Sequence, residues 1–95
     1  MKINELKAKQ GKVDIEAEVT EIGTVREFTK FGKIGRVCNA KIKDDSGEIT
    51  LTLWNDEVEK IKQGTRIKIT NGYVSEWQGE RQLSAGKFGN LETIN

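Results

Sequence analysis

The stretch ITLTLWNDE, residues 49–57, decides how the rest of the chain is interpreted. Its apolar residues Ile49, Leu51 and Leu53 alternate with two threonines. Successive side chains of a strand point to opposite faces, so this pattern predicts a strand that is buried on one face only. Trp54 has the parity of the threonines and is therefore predicted to point outward. A tryptophan on the polar face indicates that this face makes contacts other than those with solvent.

The composition predicts one small globular domain. Ninety-five residues, 35% hydrophobic and 33% charged, allow a single core. No apolar run exceeds two residues, so we expect no transmembrane helix and no secretion signal, and we predict a cytoplasmic protein. With no histidine and the single cysteine Cys38, we predict neither an enzyme nor a metal site, and no cofactor. The carboxylates Asp14, Glu16 and Glu18 alternate with apolar residues and are interpreted as a solvated strand face.

Charge is segregated along the chain, although the net charge is only +1. Residues 26–43 contain six basic residues and one acid, a net charge of +5. Residues 44–60 contain six acids and one basic residue, a net charge of −5. We expect the basic segment to lie on the ligand side of the fold and the acidic segment to lie away from it.

Alternation elsewhere predicts four further strands and one helix. The first strand covers about residues 12–26 and bends near Gly23, and residues 26–36 are predicted to be a loop or flexible hairpin tip. A helix is predicted over residues 55–64, with Asn55 as its N-cap. The interior is predicted to contain Val13, Ile15, Val19, Cys38, Ala40, Ile42, Ile49, Leu51, Leu53, Ile67, Ile69 and Val74, with Val58 and Ile61 of the helix covering one end.

The predicted order is β-β-β-α-β-β, which matches the five-stranded Greek-key barrel called the OB-fold. The fold class is therefore all-β with one short helix, and residues 1–95 are predicted to form a single OB-fold domain. A plain β-sandwich is the alternative, but five strands and one helix are too few for it.

Aromatic and basic residues border one predicted face of this barrel, the outer face of strands two and three with its two flanking loops. Exposed rings offer stacking surfaces for unpaired bases, and cations meet phosphates, so this combination predicts single-stranded DNA binding. A ring here could instead pack under a loop or under the N-terminal segment, and the two loop phenylalanines could anchor their loop. The predicted site consists of the aromatic residues Trp54, Tyr73, Trp77, Phe28 and Phe31 and the basic residues Lys30, Lys33, Arg36, Lys41 and Arg81.

Two motifs sharpen this prediction. Residues 44–86 contain DDSGEITLTLW and, near their end, GERQLSAG. The segment resembles the OB-fold of archaeal single-stranded DNA-binding proteins related to replication protein A. This resemblance implies base stacking at Trp54, Tyr73 and Trp77. Small stand-alone members of that family continue into a flexible tail, whereas this sequence stops at Asn95, which favours a domain excised from a longer replication protein A subunit.

Two other functions remain open at this point. An RNA- or tRNA-binding OB module would use the same stacking surface, and a protein-interaction OB domain of a replication assembly would keep the fold without the nucleic acid. The expected partners are single-stranded DNA and other replication or repair proteins, with no membrane partner. The chain is expected to be a monomer.

Overall fold

A computed structural model of the chain describes residues 2–85 and 89–94. Gly86, which ends the second motif, and Phe88 lie outside the described residues. In chain order the elements are a 3₁₀ turn (Ile3–Glu5), β1 (Val13–Ile22), β2 (Arg26–Lys30), β3 (Lys33–Lys43), β4 (Glu48–Trp54), α1 (Asp56–Lys60), β5 (Arg66–Trp77), β6 (Glu80–Ser84) and β7 (Asn90–Thr93).

Five of these strands close into a barrel in the order β1-β3-β4-β6-β5, and β5 pairs back onto β1. All of the pairings in this ring are antiparallel except that of β4 with β6. This is the predicted Greek-key OB-fold, with β2 and β7 added to it. The twelve strand residues predicted to line the interior are all buried, and Ile61 and the partly buried Val58 pack against this core from α1.

Two irregularities let long strands curve around the barrel. The pairing of β1 with β3 shifts register between Val19 and Glu21, close to the predicted bend. In β5 the buried positions change from odd numbers, such as Ile69, to even numbers, such as Val74. Asn71 stands at this change with a φ of +55°.

Residues 26–36 form a hairpin, which is the second of the two predicted alternatives, but it is built from regular strands, and the first strand ends at Ile22 rather than near residue 26. Arg26 pairs with Val37 and Lys30 pairs with Lys33, with a two-residue turn between the last two. Every residue of β2 is exposed. Because no residue of β2 is buried, its sequence carries no apolar alternation from which a strand could be predicted.

The helix is shorter than predicted. It ends at Lys60 because Ile61 adopts an extended conformation and enters the core. Asn55 occupies the N-cap position as predicted, but it has a φ of +52° and its side chain makes no capping hydrogen bond. Its Oδ1 instead accepts a hydrogen bond from the backbone N–H of Arg36, and Glu57 Oε1 accepts one from the backbone N–H of Trp54. Hydrogen bonds thus connect the start of the helix to Arg36, in the first half of β3, and to Trp54, the last residue of β4.

The strand β7 was not predicted from the sequence. It pairs with β5 and buries only Leu91, and four residues with one buried side chain are too few to show alternation. Ile3 and Leu6 are also buried, which attaches the N-terminal turn to the barrel.

The segment DDSG forms a tight turn between β3 and β4, in which the N–H of Asp44 donates to the carbonyl of Gly47. Asp44 Oδ1 accepts hydrogen bonds from the backbone N–H groups of Ser46 and Gly47, and Oδ2 accepts one from Ile3. Partial burial alone would raise the pKa of Asp44, but hydrogen bonds from the Ser46 hydroxyl and these N–H groups outweigh it and lower the pKa. The ionised carboxylate therefore links the turn to the N-terminal segment.

Candidate nucleic-acid interface

The outer side of β3, β4, β6 and β5 is one continuous face. Outward residues of adjacent strands are paired across it, so that a single central row crosses all four strands: Lys41, Thr50, Gln82 and Ser75. The other outward residues follow at intervals of two residues from this row along each strand. We call this surface the aromatic face, because its three exposed rings outside the hairpin are Trp54, Tyr73 and Trp77.

The three rings are spread along the face rather than gathered in one place. Trp54 lies four residues from the central row, and Tyr73 lies two residues from it in the same direction. Trp77 lies two residues from the row in the opposite direction. At about 3.3 Å per residue, Trp54 and Trp77 are therefore about 20 Å apart along the strands. The face can accommodate several nucleotides.

Trp54 projects from the end of β4 while its neighbour Leu53 is completely buried. The Trp54 side chain is 43% exposed, and the ring of Phe28 meets it edge to face with centroids 5.9 Å apart. Phe28 lies over Gly35, its cross-strand partner, where any Cβ would be only 2.4 Å from the Phe28 ring. Gly35 therefore makes room for the ring that supports Trp54 from one side.

Tyr73 and Trp77 are also exposed, but their surroundings differ. The residues before β1 run beside β5, because the N–H of Lys9 donates to the carbonyl of Val74 and the N–H of Val74 donates to the carbonyl of Gln10. The Tyr73 ring lies against this segment, close to Gly11. Trp77 is more open, with 63% of its surface exposed at the end of β5.

The β2–β3 hairpin extends the Trp54 end of the face. Lys30 and Lys33 form its last cross-strand pair, and Phe31 occupies the turn beyond them. Arg26 lies opposite Val37, which in turn lies opposite Trp54. Sequence reasoning counted Arg26 in the basic segment but did not assign it to the site. Only the hairpin register shows that Arg26 shares the face of Trp54.

Carboxylates interrupt the positive charge in the middle of the face. Lys41 lies opposite Glu21 of β1, and its Nζ is 3.8 Å from Glu48 Oε1. Glu80 lines a shallow groove on the face, together with Lys41 and Thr50. Both groups of the Lys41–Glu48 pair are about half exposed, so the pair is weak and leaves Lys41 able to contact a phosphate. The acidic residues are therefore less remote from the face than the sequence suggested.

Arg36 lies away from the aromatic face, and Arg81, at the edge of the groove that contains Lys41 and Glu80, makes a contact elsewhere. Arg36 pairs across the hairpin with Glu27, on the side opposite Phe28, and its Nη1 is 2.6 Å from Glu59 Oε1. The hydrogen bond and charge of Glu59 raise the pKa of Arg36. The Arg81 guanidinium donates to the backbone carbonyl of Leu6. As phosphate contacts, these two arginines stay predictions that the geometry does not favour.

Metal and membrane features are not found in the part of the chain that the structure describes. No group of three or more His, Cys, Asp or Glu side chains within it could hold a metal ion. Within the same residues, no helix is long and apolar enough to span a bilayer. Cys38 is buried, and its thiol donates to the carbonyl of Gly23.

Comparisons with known proteins agree with this fold. The model of the tRNA anti-codon family, described as an OB-fold nucleic acid binding domain, matches residues 13–91. The chain is 29% identical over 85 residues to the single-stranded DNA binding protein Ssb of Saccharolobus solfataricus, covering 90% of this chain and 57% of that protein. It is 36% identical over 62 residues to Replication factor A of Methanothermobacter thermautotrophicus, covering 60% of this chain and 8% of that protein.

A crystal structure of a domain of replication protein A from Methanococcus maripaludis superimposes with a TM-score of 0.80 at 32% identity, covering 99% of this chain and 93% of that domain. The chain thus spans little more than half of one curated relative and a small part of the other. These matches name binding proteins and indicate no catalytic family. The chain belongs to the OB-fold nucleic acid binding domain family, among the OB domains of the archaeal single-stranded DNA-binding protein and replication protein A type.

Proposed function

We propose that this domain binds single-stranded DNA with little regard to sequence, as a non-enzymatic module in DNA replication, repair or recombination. Bases stack on Trp54, Tyr73 and Trp77, and cations along the same face contact the phosphates. The observation that carries this proposal is the contrast within β4, where a fully buried Leu53 is followed by a Trp54 that remains 43% exposed beside Phe28.

Stacking supplies much of the binding energy in this proposal. Base–aromatic stacking contributes about 1–3 kcal/mol per base and works for every base, because each has a π-face. The rings of Trp54 and Trp77, about 20 Å apart along the strands, engage bases at the two ends of one bound strand, with Tyr73 between them. No other side chain on the face is arranged by a known motif to read a base edge, so sequence preference is expected to be weak.

The phosphate contacts come mainly from the hairpin end of the face. Lys30, Lys33 and Arg26 lie on the same side of the β2–β3 hairpin as Trp54, and Lys41 lies in the central row. The carboxylates near Lys41 reduce the positive charge toward Trp77. The strand is therefore held by charge and stacking at the Trp54 end and mainly by stacking at the Trp77 end.

RNA is the second candidate ligand, and the name of the matching tRNA anti-codon family model is the observation that favours it. Its single strands would meet the same rings, since a stacking surface does not detect the 2′-hydroxyl. A role as a protein-interaction domain, partners among replication or repair proteins and a monomeric state stay predictions.

Tryptophan fluorescence tests the proposal directly. Titration with an unlabelled thymine oligomer of about twelve nucleotides, within the usual site size of an OB domain, is expected to quench the emission. The variants Trp54→Phe and Trp77→Phe leave one tryptophan each and show which ring contacts the strand. An emission that stays constant at saturating oligomer would contradict base stacking. Competition between DNA and RNA oligomers of the same sequence then decides between the two ligands.

A further inference from the structure

The turn of the β2–β3 hairpin contains a residue that neither the turn nor the core requires. Phe31 has a φ of +53° and is followed by Gly32 at +74°. Two-residue turns with positive φ at both positions favour Asn-Gly, because a bulky side chain is disfavoured in the left-handed region. Phe31 is also 92% exposed and therefore adds almost nothing to the core. A residue that is unfavourable for the turn and unused by the fold indicates an external contact.

The same chain uses more ordinary residues at its comparable positions. Asn55 and Asn71 adopt positive φ within or beside strands, and the β5–β6 hairpin turns through Gln78 and Gly79 with φ values of +52° and +81°. Asparagine is well tolerated in the left-handed region, and Gln78 keeps a polar side chain in solvent. Lys9 and Lys12 also have positive φ, so among the described non-glycine residues with positive φ Phe31 is the one apolar residue. The turn does not require an apolar side chain, and an external ligand would explain it.

The tip of the hairpin, residues 30–34, is apolar on more than one side and positively charged. Lys30 Nζ lies 5.7 Å from the centroid of the Phe31 ring, and Lys33 is the cross-strand partner of Lys30. Ile34 is 72% exposed and lies on the opposite side of the hairpin from Phe28, because it pairs with Thr29. One side of the hairpin therefore continues the aromatic face, and the other side presents an apolar residue away from it.

The position of the tip indicates which part of a nucleic acid it meets. It lies beyond Trp54, at the end of the aromatic face, where a bound strand leaves the barrel. If that strand continues into a duplex, the terminal base pair presents a flat apolar surface there, and the two strands carry phosphates on either side of it. Apolar side chains that enter base steps beside cations are a known way for proteins to engage base-paired DNA.

We propose that the hairpin tip binds the junction between single-stranded and double-stranded DNA. Phe31 stacks on the terminal base pair, Lys30 and Lys33 contact phosphates beside it, and Ile34 faces the strand that is not held by the aromatic face. This inference rests on the proposed single-strand binding, because the aromatic face must hold one strand for the tip to reach the junction. The domain would then be enriched where single-stranded DNA meets a duplex.

The test compares two ligands by fluorescence anisotropy at one salt concentration. One is a single-stranded thymine oligomer of about twelve nucleotides, and the other carries the same oligomer as a tail on a duplex. The wild-type protein is expected to bind the tailed duplex at least about fivefold more tightly than the tail alone, the gain of one weak stacking contact. 2-Aminopurine in the terminal base pair reports directly whether a ring stacks on that pair.

Phe31→Asn is the decisive variant, because asparagine suits the left-handed turn and preserves the hairpin. It is expected to reduce the ratio of tailed-duplex affinity to tail affinity to about one, while thermal stability stays equal or rises. Phe31→Trp should keep the preference. Gln78→Asn, at the tip of the other hairpin and with a similar φ, is the matched control and should leave the ratio of the two affinities unchanged.

Each possible result has a separate meaning. Equal affinity of the wild-type protein for tail and tailed duplex overturns the junction proposal and leaves single-strand binding intact. A preference that survives Phe31→Asn also overturns it and assigns the preference to another part of the surface. If the wild-type protein does not bind the isolated single-stranded oligomer, the proposed function itself is overturned.

Discussion

The inner and outer sides of β4 are built from alternating residues and follow different rules. On the inner side, Ile49, Leu51 and Leu53 are buried in the barrel and satisfy the core. On the outer side, two threonines lead to Trp54, which stays exposed although tryptophan is among the residues that gain most from burial. The inner side is therefore explained by folding alone. Burial does not explain the outer side, and under the proposed function it serves binding, so mutations on the two sides should separate stability from binding.

The largest expected effect is on the inner side. Leu53→Ala leaves a cavity in the closed barrel, because the residue is completely buried, and should lower the free energy of unfolding by about 2–5 kcal/mol. Urea denaturation followed by circular dichroism measures this loss. DNA affinity of the protein that remains folded should change little. A stability within about 0.5 kcal/mol of the wild type would show that Leu53 does not belong to the core.

Duplex DNA should distinguish the outer side from a merely basic surface. A duplex has the phosphates that Lys30 and Lys33 contact but hides its base faces, so it loses the stacking contribution except at its ends. With two or three stacked bases, single strands should bind more tightly by over about 2 kcal/mol, roughly thirtyfold. Long duplex, in which ends are few, is the appropriate competitor at equal nucleotide concentration. If duplex competes equally, the cations alone bind and the three rings have another role.

Single substitutions on the outer side should weaken DNA binding and leave stability nearly unchanged, the opposite of the result expected for Leu53→Ala. Trp54→Ala and Trp77→Ala should each weaken binding of single-stranded DNA by about 1–3 kcal/mol. The free energy of unfolding should change by less than about 1.5 kcal/mol, because Trp77 is largely exposed and the Trp54 variant loses mainly the edge-to-face contact with Phe28. Anisotropy and denaturation on the same samples measure both. Unfolding of the Trp54→Ala variant would mean that Trp54 is a structural residue.

The smallest expected effect concerns cations on the two sides of the β2–β3 hairpin. Each phosphate contact contributes about −0.7 to the slope of log affinity against log salt concentration for single strands. The double variant Lys30→Ala/Lys33→Ala should therefore make the slope less steep by about 1.4. Arg36→Ala removes one positive charge from the opposite side, where Glu59 already holds the guanidinium, and should leave the slope nearly unchanged. An equal change per charge removed would show that Arg36 does reach a phosphate.

Much of the fold could be predicted because β-strand burial is periodic. Alternation of period two predicted the buried side of β1, β3, β4 and β5 and the outward direction of Trp54, Tyr73 and Trp77. It failed where burial is absent or brief. The fully exposed β2 and the short β7 carry no such pattern, and the helix ends early because Ile61 is drawn into the core.

The sequence by itself determined which side of each barrel strand is buried, because that depends on the order of apolar and polar residues along one strand. It could not determine which outward residues of different strands lie together. The hairpin register places Arg26 on the same face as Trp54 and leaves Arg36 on the other side, where it pairs with Glu59. The Arg81 guanidinium donates to the carbonyl of Leu6 in the N-terminal segment. These placements depend on pairing between residues far apart in the chain. Only the closed barrel decides such pairing, so the composition of the aromatic face emerged from the tertiary structure.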